Sequence, residues 1–171
     1  MVRFFLIFIA LLAVLFRIDM LDSVQAGFVE PWTDLLALLS AGLIQPFDAD
    51  VHSYGRVLQS TSSGFGVSIE PGCNGVEAAI VLVAAVLAFP ASWKAKLIGV
   101  IAGIVAIQAV NLVRIISLFY IGQWNFAVFE FAHYYLWQAL IMLDALVTWL
   151  VWLHWTDKRK ARRAAIAHDG A

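Results

Sequence analysis

The stretch Pro71-Gly72-Cys73-Asn74-Gly75-Val76-Glu77 places the single cysteine of a 171-residue chain at a glycine-flanked turn, and the run from Val76 to Phe89 behind it is almost entirely apolar. Gly72 and Gly75 let the backbone take left-handed geometry and let a neighbouring chain come close, while Pro71 fixes the entry. The turn therefore opens an apolar helix. A cysteine in the first turn of such a helix lies beside unpaired backbone N–H groups and the positive end of the dipole, which favour thiolate over thiol. The same N–H groups are able to hold an oxyanion. Taken by itself, Cys73 also reads as a small buried residue of a structural turn.

With 63% hydrophobic and 13% charged residues and a mean hydropathy of +0.86, the chain lies outside the range of soluble domains, which run about half apolar and a quarter charged. The expected fold class is an all-α integral membrane protein, a small polytopic helix bundle forming one domain over residues 1–171. The net charge of −1 says nothing about partners. Its distribution does, because Lys158, Arg159, Lys160, Arg162 and Arg163 cluster behind the last apolar run and read as a basic cytoplasmic tail over 156–171. One cysteine excludes an intrachain disulfide. The sequence carries no metal-ligand spacing, phosphate loop or nucleic-acid signature, so neither a cofactor, a metal nor a nucleic-acid partner is expected.

Phe4 to Phe16, between Arg3 and Arg17, reads as the first transmembrane helix. A signal peptide is the rival reading, and the residues that follow offer no clear small-x-small cleavage site. Trp32 to Phe47, broken by Gly42 and Pro46, is too short to span comfortably. In the polar region Asp48 to Glu70, Arg56–Ser60 and Phe65–Ile69 flank Thr61-Ser62-Ser63-Gly64, the pattern of a small hairpin. Asn74 to Phe89 is the next span, stopped by Pro90. Lys94 and Lys96 mark a cytoplasmic loop, Leu97 to Ile121 runs back out, Trp124 to Phe131 is an aromatic interfacial connection, and His133 to Trp155 is the last span. Parity then places Cys73 and His133 at the extracytoplasmic ends of their helices. It also keeps Arg3 inside if Trp32–Phe47 is an interfacial or re-entrant helix. The expectation is four transmembrane helices plus one interfacial helix and a short extracytoplasmic β-hairpin-like segment. Residues 1–54 hold the N-terminal span and interfacial helix, and 55–155 the catalytic core.

Ionisable residues inside spans are costly and are functional candidates by default. Arg114 lies seventeen residues beyond Leu97, about 26 Å along a helix, just below the outer boundary of a core of roughly 30 Å. Gln108, Asn111 and Arg114 recur every three residues as a polar stripe facing the bundle interior. An arginine snorkelling to the interface is the bland alternative. His133, in Phe131-Ala132-His133-Tyr134-Tyr135, reads as an aromatic-belt residue when taken alone. A thiol, a guanidinium and an imidazole arriving at one depth are equipment for acyl transfer. Glu77, one turn below Cys73, is placed to pair with Arg114. Asp144, about 16 Å deeper than His133, reads as a partner for Gln108. His154 and His168 fall at the cytoplasmic end, outside the site.

Cys73 in PGCNGVEAA, Arg114 in NLVRIISL and His133 in FAHYYLWQ resemble, in order and spacing, the three motifs of the exosortase/archaeosortase membrane enzymes. The resemblance covers about residues 55 to 155, and the small size and PGCNG form are similar to the exosortase H branch. It implies a sortase-like cysteine peptidase/transpeptidase on an unrelated helical scaffold in the cytoplasmic (inner) membrane. Its substrates would be exported proteins ending in a sorting signal: a short motif, a transmembrane helix and a basic cluster. Carried over, Cys73 is the nucleophile, His133 the general acid/base and Arg114 the carbonyl or oxyanion ligand; apart from the resemblance, Asn74, Glu77 and Asn111 are expected to support them. The chain departs in lacking the additional N-terminal helices of larger members and in having Pro71-Gly72 where Ala-Cys is more usual. A different class, a non-enzymatic membrane subunit or small transporter, would use Arg114, Glu77 and Asp144 as structural charge pairs.

Overall fold

The computed structural model describes residues 2–169, with side chains through residue 161. Helix α1 (Val2–Asp19) carries Arg3 and Arg17 near its two ends and exposes most of its apolar residues. The next helical segment starts ten residues earlier than expected. Helix α2 (Asp22–Val24), a π turn (Gln25–Val29) and helix α3 (Glu30–Ile44) run on as one 23-residue helix. Pro31 does not break it: it follows directly on the π turn, whose widened backbone accommodates the ring and the missing N–H. At that length the segment is long and apolar enough to cross a membrane, so shortness no longer argues for an interfacial helix.

The polar region folds as three antiparallel strands, β1 (Val51–Tyr54), β2 (Val57–Ser60) and β3 (Gly66–Ser68), in the order β1-β2-β3. The expected hairpin is β2 and β3, with Leu58 opposite Val67. Strand β1 is an addition, and its pairing with β2, Val51 opposite Ser60, crosses the boundary expected at residue 55. Val51, Leu58 and Ile69 turn inward against Leu36, Ala37, Ala41 and Ile44 of α3.

Helix α4 (Val76–Ala88) is shorter than the expected span from Asn74 to Phe89. Its 13 residues cover about 20 Å, against a hydrocarbon core of about 30 Å. Gly75 is its N-cap at φ +74°, and a Cβ there would also meet Gln108 Nε2 at 2.8 Å, so only glycine fits. In the turn before α4, Asn74 and Gly75 are buried, Cys73 is half-buried, and Pro71 and Gly72 are exposed. Irregular backbone that leads into a buried helix start needs hydrogen-bond partners of its own. It has them: Cys73 N–H donates to Glu70 O at 2.9 Å, Gly72 N–H to Glu77 Oε1 at 2.7 Å and Val76 N–H to Asn74 Oδ1 at 3.1 Å.

Helix α5 (Trp93–Trp124) has 32 residues, about 48 Å, and is the post on which both halves of the protein pack. At one end Leu82 and Val86 of α4 and Ile107 of α5 form a core with Ala145 and Trp152. At the other, Ile115 and Phe119 of α5 join α3 and the sheet. Gly103 lets α4 approach, its missing Cβ being where the Leu82 side chain lies. Helix α6 (Phe126–Phe131), a π turn (Ala132–Leu136) and helix α7 (Trp137–Asp169) make one long helix in place of a connection followed by a span. Trp152 Nε1 fastens α7 to Ala95 O of α5 at 2.9 Å. Lys96 Nζ donates to Leu87 O at 2.6 Å and Lys160 Nζ to Pro90 O at 3.3 Å, which gathers the basic residues at the end away from the sheet. The side chains of Arg162, Arg163 and His168 lie outside the described residues.

The architecture is thus the expected helical bundle with a small β segment. Asp22–Ile44, Trp93–Trp124 and Phe126–Ala161 are each long and apolar enough to cross a membrane.

Candidate active site

The turn before α4, the middle of α5 and the π turn between α6 and α7 bring Cys73, Arg114 and His133 together. Cys73 Sγ lies 3.1 Å from His133 Nε2. Arg114 donates from Nη2 to the same sulfur at 3.4 Å and from Nη1 to Gly72 O at 3.4 Å. Arg114 is 1% exposed and its guanidinium reaches the Cys73 turn, so it is not snorkelling to an interface. The π turn widens the helix at His133, a distortion that recurs at functional sites. Its ring stacks on Phe129 with centroids 5.6 Å apart and planes 16° from parallel. A cleft of about 50 Å³ opens over the three side chains, walled by Val67 and Ser68 of β3 and by Phe129.

The thiol state differs from the expectation. Cys73 stands two residues before the N-cap Gly75, outside the first turn of α4, and does not gain that turn's free N–H groups. Burial pushes its pKa above the ordinary thiol value, Arg114 pulls it back, and the Glu77 and Glu70 carboxylates push with burial. The balance of these influences favours the thiol over the thiolate. With the imidazole Nε2 as acceptor, its proton points at His133.

Glu77 does not pair with Arg114. Its carboxylate takes the Gly72 N–H while Arg114 takes the Gly72 carbonyl, so the two charges bracket one glycine instead of meeting. Arg56 and Glu70, at 3.2 Å, form the one ion pair among the described residues. Asp144 is not joined to Gln108; it accepts from Thr148 Oγ1 at 3.5 Å on its own helix. Asn111, fully buried, donates to Gln108 Oε1 at 3.5 Å, and its own Oδ1, like Arg114 Nε, has no hydrogen-bond partner.

Asn74 is 1% exposed and uses both ends of its amide, accepting from Val76 N–H and donating to Thr33 Oγ1 at 3.1 Å. Thr33 in turn donates to Val29 O at 2.7 Å. Sequence reasoning missed this residue. Its one signal was a hydroxyl at the polar end of an apolar helix, 41 positions away in the chain.

A family model described as transmembrane exosortase (Exosortase_EpsH) matches residues 1–149. No curated protein and no solved structure matches the chain.

Proposed function

The chain belongs to the transmembrane exosortase family, and from that premise we propose that it is a cysteine peptidase/transpeptidase that removes the C-terminal sorting signal of exported proteins. The observation that carries the reading is the contact of one sulfur with both an imidazole at 3.1 Å and a guanidinium at 3.4 Å. Nothing about packing calls for that trio.

The chemistry follows from the groups. As Sγ attacks the scissile carbonyl, the thiol proton passes to His133 Nε2, because a neutral thiol is a weak nucleophile until its base takes the proton. The carbonyl oxygen gains negative charge, and Arg114 is the fixed donor beside it. His133 returns the proton to the departing amine as the C–N bond breaks, leaving a thioester on Cys73. An amine or water, deprotonated by His133, then attacks the thioester, and the sulfur leaves with the proton. Arg114 also holds Gly72 O, so it fixes the nucleophile's backbone while it serves the substrate.

The site lies at the end of the bundle opposite Lys96 and Lys160, and the positive-inside rule makes that arrangement support a site on the extracytoplasmic face of the cytoplasmic membrane. The transporter or subunit reading required Arg114, Glu77 and Asp144 to be paired charges. None of the three forms an ion pair among the described residues. The test is to compare the C-termini of exported membrane-tailed proteins in cells making the parent chain or Cys73→Ser. The parent should yield proteins shortened at the tail, and the variant the full-length forms. Identical C-termini in both would reject the proposal.

A further inference from the structure

A groove of about 520 Å³ runs between α1, α4 and α7, and its walls are apolar over almost their whole length. On α1 it follows Phe4, Phe8 and Phe16, twelve residues or about 18 Å of helix. Met142 of α7, 64% exposed, and Phe5 of α1, 60% exposed, stand at its edges, so it opens sideways toward lipid. Its volume suits the side chains along one face of a helix.

Two features make the groove more than an apolar seam. It ends at the site, where Gly72 and Gly75 of the nucleophile turn form its wall. Its polar side chains are Glu77 and Gln138, near that same end. A transmembrane helix leaves its first N–H groups without partners and carries a partial positive charge there, and inside a bilayer both need acceptors. A carboxylate beside the Gly72 turn offers such an acceptor at the depth of Cys73. A lipid acyl chain asks for none.

We infer that this groove docks the transmembrane helix of the substrate's own tail, with the helix N-terminus at Glu77 and the peptide bond preceding it laid over Cys73. The inference rests on the function proposed above and adds the face of the bundle that selects the substrate. Docking on α1, α4 and α7 leaves α5 and the sheet on the far side of the nucleophile, where the acceptor is free to approach. Glu77 then has two tasks: it holds Gly72 N–H and it receives the positive end of the incoming helix.

The test uses Met142 and, as a control of the same 64% exposure on α5, Val105. Benzoylphenylalanine is placed at each in a Cys73→Ala chain, the membranes are irradiated, and the adducts are mapped by mass spectrometry. The position 142 probe should join a polypeptide through its C-terminal apolar helix at least tenfold more than the position 105 probe. Lipid adducts alone at position 142, or equal yields from the two positions, would overturn the docking. In a second arm Met142→Trp should slow tail removal at least tenfold while Cys73 alkylation by iodoacetamide keeps the parental rate; undiminished tail removal would overturn it. The two readings fail separately. A captured helix whose polypeptide the parent never shortens ends the proposed function, whereas a tail that the parent removes without capture and without regard to Met142→Trp ends the groove alone.

Discussion

The Nδ2 amide of Asn74 donates to Thr33 Oγ1 at 3.1 Å, and this bond ties helix α3 to the turn that carries Cys73. The other end of the same amide caps Val76 N–H, so one buried side chain sets both the start of α4 and the distance of the turn from α3. Removing the hydroxyl leaves a buried donor unpaired, at a cost of about 1–3 kcal/mol. Thr33→Val, close in shape, should insert normally and lose about tenfold or more in processing. Thr33→Ser, which keeps the oxygen, should stay near the parent. Equal processing by the valine and parent chains at equal protein level would show that the turn holds itself.

Arg114→Lys separates a rigid donor from a mere positive charge. The guanidinium reaches Cys73 Sγ with one nitrogen and Gly72 O with another, a fork that an ammonium cannot reproduce. Losing one donor to a developing oxyanion costs about a hundred- to a thousandfold in turnover. Arg114→Lys should be present in the membrane at parental level and process substrate at that reduced rate. Parental turnover by the lysine variant would remove Arg114 from the chemistry.

The thiol should titrate above the ordinary cysteine value, since burial is the largest influence on it. Alkylation by iodoacetamide should therefore rise with pH to a midpoint above that of free cysteine. Glu77→Gln removes a negative charge that holds the proton on, yet keeps an acceptor for Gly72 N–H, so its midpoint should move down. Arg114→Gln removes a positive charge, and its midpoint should move up. Midpoints unchanged in both variants would mean that neither charge acts on the sulfur.

Topology is testable in a Cys73→Ser background with a new cysteine at either Thr61 or Lys94. The first should react with an impermeant maleimide from the extracytoplasmic side and the second only after the membrane is opened. The reverse pattern would place the site in the wrong compartment for an exported substrate.

The three residues that meet at the sulfur were legible because Arg114 and His133 are polar groups in apolar or aromatic runs and Cys73 is the single cysteine, in a glycine-flanked turn that opens an apolar helix. Arg114 was further marked by Asn111 and Gln108, three and six residues before it, on one helix face. Contacts that depend on the path of the backbone were not legible. Helix spacing put Glu77 below Cys73, but the turn at Gly75 swings the chain so that the carboxylate meets Gly72 N–H rather than Arg114. That same turn takes Cys73 out of the first turn of α4 and makes burial, not the helix dipole, the main influence on its thiol. Asp144 accepts from Thr148, four residues along its own helix, where side chains at that spacing share a face. Strand β1 and the early start of the helix ending at Ile44 were hidden for another reason. Both hold polar residues whose order comes from packing on α3 or from a π turn, which local pattern does not report.

The central claim is that Cys73 carries the substrate as a thioester, and its most direct test is the mass of the Cys73 peptide. Reconstituted enzyme is quenched in acid during turnover of a tailed substrate, digested, and treated or not with neutral hydroxylamine. The account predicts a Cys73 adduct bearing the substrate's new C-terminal peptide, removed by hydroxylamine and missing from Cys73→Ser. Release of the tail at the parental rate by Cys73→Ser, or from a chain whose Cys73 never carries an adduct, would contradict it.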